Sequence, residues 1–380
     1  MKNIMLIGLK YDKNIGDSII GENLKWILDN NYNNLNINSC DLKARVNPND
    51  KMSFFTRGCL HYFQKIKSRK IKFFLCEFAF CLGENRKIKK YYYKKLNSID
   101  MCIFAGGGII ECEHYYSYHY IKLITKICEK KNIEIIYNAV GFNGTYNPNY
   151  KGYIILKRAL NSRCVSHISV RENINEILKY GIQNATLVCD PGCFSNFTYN
   201  IFRKKTNTIG ISVVRPNIFS EFGFHMDEFT LINFYHELII RLQNNKYDYQ
   251  FFTNGDDSDG YFIKKIFEKF SDIKNKSILV PKSGEELINI LSNFRVIVCS
   301  RMHASICSYS LNIPSINLCW NEKIFFFYEN IDYKNRIFMP PFDVLKVYNK
   351  VLELYDNDCN NEKRGKYLNS IIDFYNGIFK

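Results

Sequence analysis

An arginine and a histidine stand two residues apart, Arg301 and His303, where the apolar run Phe294 to Cys299 gives way to the small and apolar residues Ala304 to Ser310. The first run reads as an interior parallel strand and the second as a helix packed on its sheet. A fixed cation and a proton carrier are costly at the end of a buried strand unless each has a partner. Together they could bind an anion and move a proton. The plainer alternative is a histidine satisfied within the core.

Three further stretches carry residues of the right kind. Asn14-Ile-Gly-Asp17 follows the first apolar strand and opens a helix. Asn14 and Gly16 suit a tight turn and Asp17 can cap; exposed amides at the same place could approach an anion or a sugar hydroxyl. The spacing is neither GxGxxG nor a P-loop, so no dinucleotide or Walker-type site is expected. Gly106, Gly107 and Gly108 end a second strand, where glycines permit positive φ and close approach to a ligand. His114 and His119 follow, five apart and so not on one helix face; they are candidate acid–base groups, and no metal site is expected. Arg171, at the end of Val165 to Val170, and Arg215, after Ile211 to Val214, take strand-end positions in the two halves. A surface ion pair of Arg171 with Glu172 or Glu176 is the alternative to substrate binding.

Apolar strands alternate with helical segments along the chain, which predicts an α/β fold of two Rossmann-like, doubly wound domains. Ile4–Gly8, Met101–Ala105, Glu134–Val140 and Val165–Val170 read as strands of the first domain, with helices over Ser18–Leu28 and Tyr115–Lys130. Gly192 to Asn207 is polar and irregular and reads as a linker. The rhythm then restarts with strands at Thr208–Val214, Tyr247–Thr253, Val296–Cys299 and Ser315–Leu318. The expected domains are 1–200 and 201–341, with 342–380 as a helical segment packing across both. Two such halves place a site in the cleft between them, at the carboxyl ends of strands.

A formal net charge of +15 over 380 residues is compatible with a polyanion, an anionic substrate or a membrane surface as partner. The basic clusters Lys65 to Lys72 and Lys87 to Lys90, interleaved with Phe73, Phe74 and Tyr91 to Tyr93, read as solvated helix faces or as a surface for an anionic glycan, a lipid headgroup or nucleic acid. No zinc-finger spacing, RNP-type motif or long basic tail supports nucleic acid, which is not expected. The 14 cysteines are scattered rather than paired as CxxC, and Met1 to Ile4 leads straight into a short strand without the apolar core of a signal peptide. Free thiols in the cytoplasm are the simplest account. No run reaches the length of a membrane span, although peripheral association with the inner face of a membrane fits the charge.

Taken together, Asn14 to Asp17, Gly106 to Gly108, Arg171-Glu172, Asp190-Pro191 and Arg301-Met-His303, with Pro314 and Lys323 downstream, resemble the polysaccharide pyruvyl transferase family. The pieces fall in order over residues 4 to 323. Asn312 stands where a glycine commonly precedes the Ile-Pro pair, and Trp320 replaces a tyrosine before the lysine. The resemblance implies a GT-B-like pair of Rossmann-like domains and a ketal-forming transfer of the pyruvyl group of phosphoenolpyruvate onto two hydroxyls of a surface glycan or lipid-linked saccharide, releasing phosphate. On that reading Arg301, Arg171 and Arg215 bind the donor's carboxylate and phosphate. His303 protonates the enol carbon. The loop with Asn14, Gly16 and Asp17 and the turn Gly106, Gly107 and Gly108 hold the acceptor, with 1–200 as the acceptor-side and 201–341 as the donor-side domain; Lys323 is a further substrate-binding residue, and neither cofactor nor metal is needed. The alternatives are a GT-B glycosyltransferase using a nucleotide-sugar and a non-catalytic glycan-binding protein of the same fold. The former calls for an acidic residue placed for the ribose, as in an E-x7-E pattern; Glu285 and Glu286 lie before the Arg-x-His block rather than after it.

Overall fold

The computed structural model describes residues 1–12, 14–50, 71, 74, 75, 78, 80, 82–112, 117–143, 146–357 and 363–379. Its contacts divide the chain into two units. The first comprises Met1–Asp12, Leu28–Val170 and Ile174–Thr186; the second comprises Lys13–Ile27, Arg171–Asn173 and Leu187–Lys380. The boundary therefore falls near residue 187 rather than 200, and the helices Val344–Asp356 and Arg364–Asn376 count with the second unit.

The first unit is built on β1 (Lys2–Gly8), β2 (Leu35–Asp41), β3 (Met101–Phe104), β4 (Gly107–Glu111), β5 (Glu134–Asn143), β6 (Val165–Val170) and β7 (Thr186–Leu187). The order is β2-β1-β3-β5-β6-β7, with β4 alongside β5. Ile4 to Ile7 and Met101 to Phe104 are wholly buried, as expected of parallel strands covered on both faces. The sequence reading ended the second of these runs in a ligand-facing turn. Instead the chain passes through Gly106 and Gly107, at φ 107° and 82°, into another strand. These positive φ values are what demand glycine there.

The second unit contains β8 (Ile209–Ser212), β9 (Tyr249–Phe252), β10 (Ile278–Leu279), β11 (Val296–Cys299), β12 (Ser315–Leu318) and β13 (Ile337–Phe338). Their order is β10-β9-β8-β11-β12-β13, all parallel, which is a doubly wound sheet that reverses direction between β8 and β11. The stretch expected as a linker is packed structure: Pro191–Phe194 is a buried 3-10 turn and runs into the helix Ser195–Thr198. The Cβ that Gly192 lacks would lie 2.8 Å from Ile306, so this turn rests directly on the helix Met302–Ser310.

Candidate active site

In a doubly wound sheet, ligands bind at the carboxyl ends of the strands where the order reverses. In the second unit that point lies between β8 and β11, so the residues just after them are Val213 to Arg215 and Ser300 to His303. The helices that β8 and β11 feed, the short Asn217–Glu221 and Met302–Ser310, differ from four others of this unit. Asp227, Asp256, Ser283 and Asn321 each cap a helix of this unit through the side chain. The helix Met302–Ser310 has Arg301 at its N-cap, and no side chain caps it. Its first turn keeps the partial positive charge of backbone N–H groups.

Arg301 does not extend a free fork. Its Nε donates to Asp259 Oδ2 at 2.7 Å, and its Nη2 donates to Asp259 Oδ1 at 2.9 Å and Asp256 Oδ2 at 3.0 Å. Both aspartates come from Asn254-Gly-Asp-Asp-Ser-Asp-Gly260, the loop and first helical turn after β9. Asp259 is buried, and its burial raises its pKa against the pull of Arg301. Burial acts the same way on Asp256, but hydrogen bonds from Ser258 and the Arg301 charge lower its pKa overall. Arg215 is half-buried nearby; its backbone N–H donates to Asp259 at 3.2 Å and its Nη2 to Glu221 at 3.3 Å.

Arg171 is buried with two carboxylates of its own. Nη1 lies 2.5 Å from Asp190 Oδ2, and Nε lies 3.1 Å from Glu172 Oε1. Burial works against its charge, but Asp190 and Glu172 more than offset that and raise its pKa. Asp190 also accepts from the Gly192 N–H at 2.7 Å, which fixes it at the start of the 3-10 turn. A surface pair with Glu176 is ruled out by this geometry, since Glu176 bonds Lys179 at 2.6 Å.

The Asn14–Asp17 turn and the Arg-x-His block meet. Ile15 N–H donates to Asn254 O at 3.2 Å, and Asn14 Nδ2 donates to Asp17 Oδ2 at 3.1 Å. A Cβ on Gly16 would lie 2.2 Å from His303 Cγ, so the imidazole packs on bare backbone. His303 is 6% exposed, and its Nε2 has no hydrogen-bond partner. Its pKa is lowered to about 3, first by burial; Asp190 opposes this, while Arg171, Lys323 and Arg301 add to it. Lys323 is half-buried, with Nζ 5.5 Å from the Trp320 ring, and burial lowers its pKa too. The charges acting on one another here are Arg171, Arg215, Arg301 and Lys323 against Asp17, Glu172, Asp190, Asp256 and Asp259, four cations facing five carboxylates.

The other expected site residues belong to the first unit. Gly108 has its Cβ space filled by Asn143, whose Nδ2 donates to Gly108 O at 2.6 Å. The backbone approach that its glycine allows is thus made by the protein itself. His119 is buried in the helix Ser117–Lys131, its ring 4.4 Å from Tyr118 and 5.3 Å from Phe80. His114, and nearly all of the basic cluster Lys65 to Lys72, lie outside the described residues. Among the described residues no group of three or more His, Cys, Asp or Glu side chains could hold a metal ion. The sequence reading missed Asp256 and Asp259; three aspartates in one short segment after a strand were the available signal.

Solved structures similar to this chain share its fold over the whole length. UDP-GlcNAc 2-epimerase from Methanocaldococcus jannaschii matches with TM-score 0.58 at 12% identity, covering 100% of both chains. The S. aureus MnaA–UDP co-structure matches at 0.56 and 10%, covering 100% of this chain and 96% of that one. UDP-GlcNAc 2-epimerase from Neisseria meningitidis bound to UDP-GlcNAc matches at 0.54 and 11%, covering 100% and 99%. Among curated proteins no sequence relative is found. The fold is thus two Rossmann-like domains of GT-B-like type.

The phosphoenolpyruvate chemistry expected from the sequence is corrected by these findings. The enzymes that share the fold are named for a nucleotide-sugar substrate. The geometry also opposes a carboxylate-plus-phosphate donor, because Arg171 and Arg301 are each already matched by two carboxylates and Arg215 by Glu221. An imidazole with a pKa of about 3 carries no proton to give an enol near neutral pH. The ketal-forming activity, phosphoenolpyruvate as donor and partner, and His303 as its acid are set aside on these grounds. What the sequence does establish is kinship: it matches the family model described as polysaccharide pyruvyl transferase over residues 14–322, and the chain belongs to that family.

Proposed function

We propose that this chain is a GT-B-type enzyme that acts on a nucleotide-sugar and transfers its sugar to an acceptor hydroxyl. The observation that carries the reading is the charge balance at the reversal point of the second sheet. Carboxylates that outnumber the cations by one, a neutral imidazole with an open nitrogen and the uncapped start of Met302–Ser310 suit a ligand rich in hydroxyls with a single diphosphate. Carboxylates recognise ribose and sugar hydroxyls, and a helix start takes a phosphate. Breaking the bond between the anomeric carbon and the diphosphate leaves negative charge on the departing phosphate. The first turn of Met302–Ser310, with Lys323 close by in charge, is where that charge is best met. The acceptor's proton passes to a carboxylate of the cluster, since His303 is too weak a base to hold it. The solved enzymes of like fold, in complex with UDP-GlcNAc and UDP, support the choice of UDP-sugars as first probes.

Thermal unfolding with a panel of nucleotide-sugars tests this. A ligand at about 100 times its Kd adds about 2.7 kcal/mol to stability, which raises Tm by about 5–10 °C for a unit of this size. At least one UDP-sugar should produce such a shift, and phosphoenolpyruvate at equal concentration should not. A shift with phosphoenolpyruvate and none with any nucleotide-sugar would overturn the proposal.

A further inference from the structure

In the first unit, four large apolar side chains stand in solvent on one helical face. Ile71, Phe74, Phe78 and Leu82 are helical and 55%, 65%, 56% and 60% exposed. At about 100° per residue, their spacings of three, four and four place them within an arc of roughly 80°. Phe80, on the opposite side, is fully buried and meets Tyr120 edge-on at 5.4 Å between ring centroids. Phe80 is thus held in the core while Ile71, Phe74, Phe78 and Leu82 stand outward. The helix Asn85–Lys95 comes next, with Ile88 and Tyr92 in the core. Arg86, Lys87, Lys89, Lys90, Lys94 and Lys95 are all exposed on it, and it contains no acidic residue.

We infer that this face binds the surface of a bilayer containing anionic lipid. The stripe enters the boundary between headgroups and acyl chains, and the cations of the following helix meet lipid phosphates. Charge complementarity selects this occupant. A second copy of the chain seated on the stripe would add the same run of cations rather than a counter-charge. An acidic glycan or a nucleic acid would use the cations and leave Phe74 and Phe78 in water. An anionic bilayer offers an apolar boundary to the stripe and phosphates to those cations of the following helix that lie on its side. No described helix is long and apolar enough to cross a membrane, so the contact is with the surface.

Co-sedimentation of the full chain with sucrose-loaded vesicles tests the inference, using phosphatidylcholine alone and phosphatidylcholine with about one third phosphatidylglycerol. The chain should pellet with the anionic vesicles, be released by high salt and stay in solution with the neutral ones. Lys89→Gln with Lys90→Gln should weaken the partition about thirtyfold, at about fivefold per lysine near the surface. Phe74→Ser with Phe78→Ser should weaken it at least as much. All four positions are exposed, so near-UV circular dichroism and the thermal response to nucleotide-sugars should match wild type. Failure to pellet with anionic vesicles, equal binding to neutral ones, or unchanged binding by either double variant would overturn the inference. Light scattering that shows a dimer converted to a monomer by the phenylalanine variant would assign the stripe to a second copy, and would overturn it too.

Discussion

His303 should make the second unit lose stability in acid in a way that an asparagine at the same place does not. Its pKa is about 3 in the folded chain and about 6.5 when exposed in the unfolded one. Above pH 6.5 neither state holds the proton, and the residue adds no pH dependence. As pH falls from 6.5 towards 3, the unfolded chain takes up a proton that the folded chain refuses. Stability then drops by about 1.4 kcal/mol per unit. At pH 5.0 the loss from this residue alone is about 2 kcal/mol. Urea unfolding at pH 7.5 and 5.0 measures it, and the signal is local because both tryptophans of the sequence, Trp26 and Trp320, lie in the second unit. Other titrating groups are common to both proteins, so the gap between wild type and His303→Asn isolates the imidazole. That gap should move by about 2 kcal/mol in favour of the variant between the two pH values. A gap that stays constant would mean that His303 takes up protons normally when folded, and the neutral-imidazole reasoning would fail.

Gly16→Ala should destabilise the second unit by about 1–3 kcal/mol in the same tryptophan assay, because its new methyl would stand 2.2 Å from His303 Cγ. Asp259→Asn removes the buried partner of the half-buried Arg301 and leaves it Asp256. Losing one partner of a buried pair costs about 3–5 kcal/mol; with Asp256 retained, a loss of about 2–4 kcal/mol is expected at pH 7.5. A variant as stable as wild type would show that the Arg301–Asp259 pair contributes nothing net.

The two-domain α/β plan was legible because interior parallel strands are nearly continuous apolar runs, as in Val296 to Cys299 and Met101 to Phe104. β2 was not read, since Leu35-Asn-Ile-Asn-Ser-Cys-Asp41 mixes Asn, Ser and Asp into an edge strand with half its residues in solvent. The triple glycine misled because positive φ serves a strand-to-strand passage as readily as a ligand contact. Arg171, Arg301 and His303 stood out as polar residues at strand ends. The partners of Arg301 did not, because pairing across 42 or 45 residues, as to Asp259 and Asp256, leaves no mark in local spacing. That gap decided the chemistry. Read without partners the arginines look like open forks, whereas with them they are structural ion pairs in an acidic site.

The most direct test of the central claim is phosphorus NMR of the protein incubated with a set of UDP-sugars, phosphoenolpyruvate and a mixture of saccharide acceptors. The account expects resonances of free UDP to grow at the expense of one UDP-sugar while phosphoenolpyruvate persists. Loss of phosphoenolpyruvate with matching release of inorganic phosphate, and every UDP-sugar intact, would contradict it.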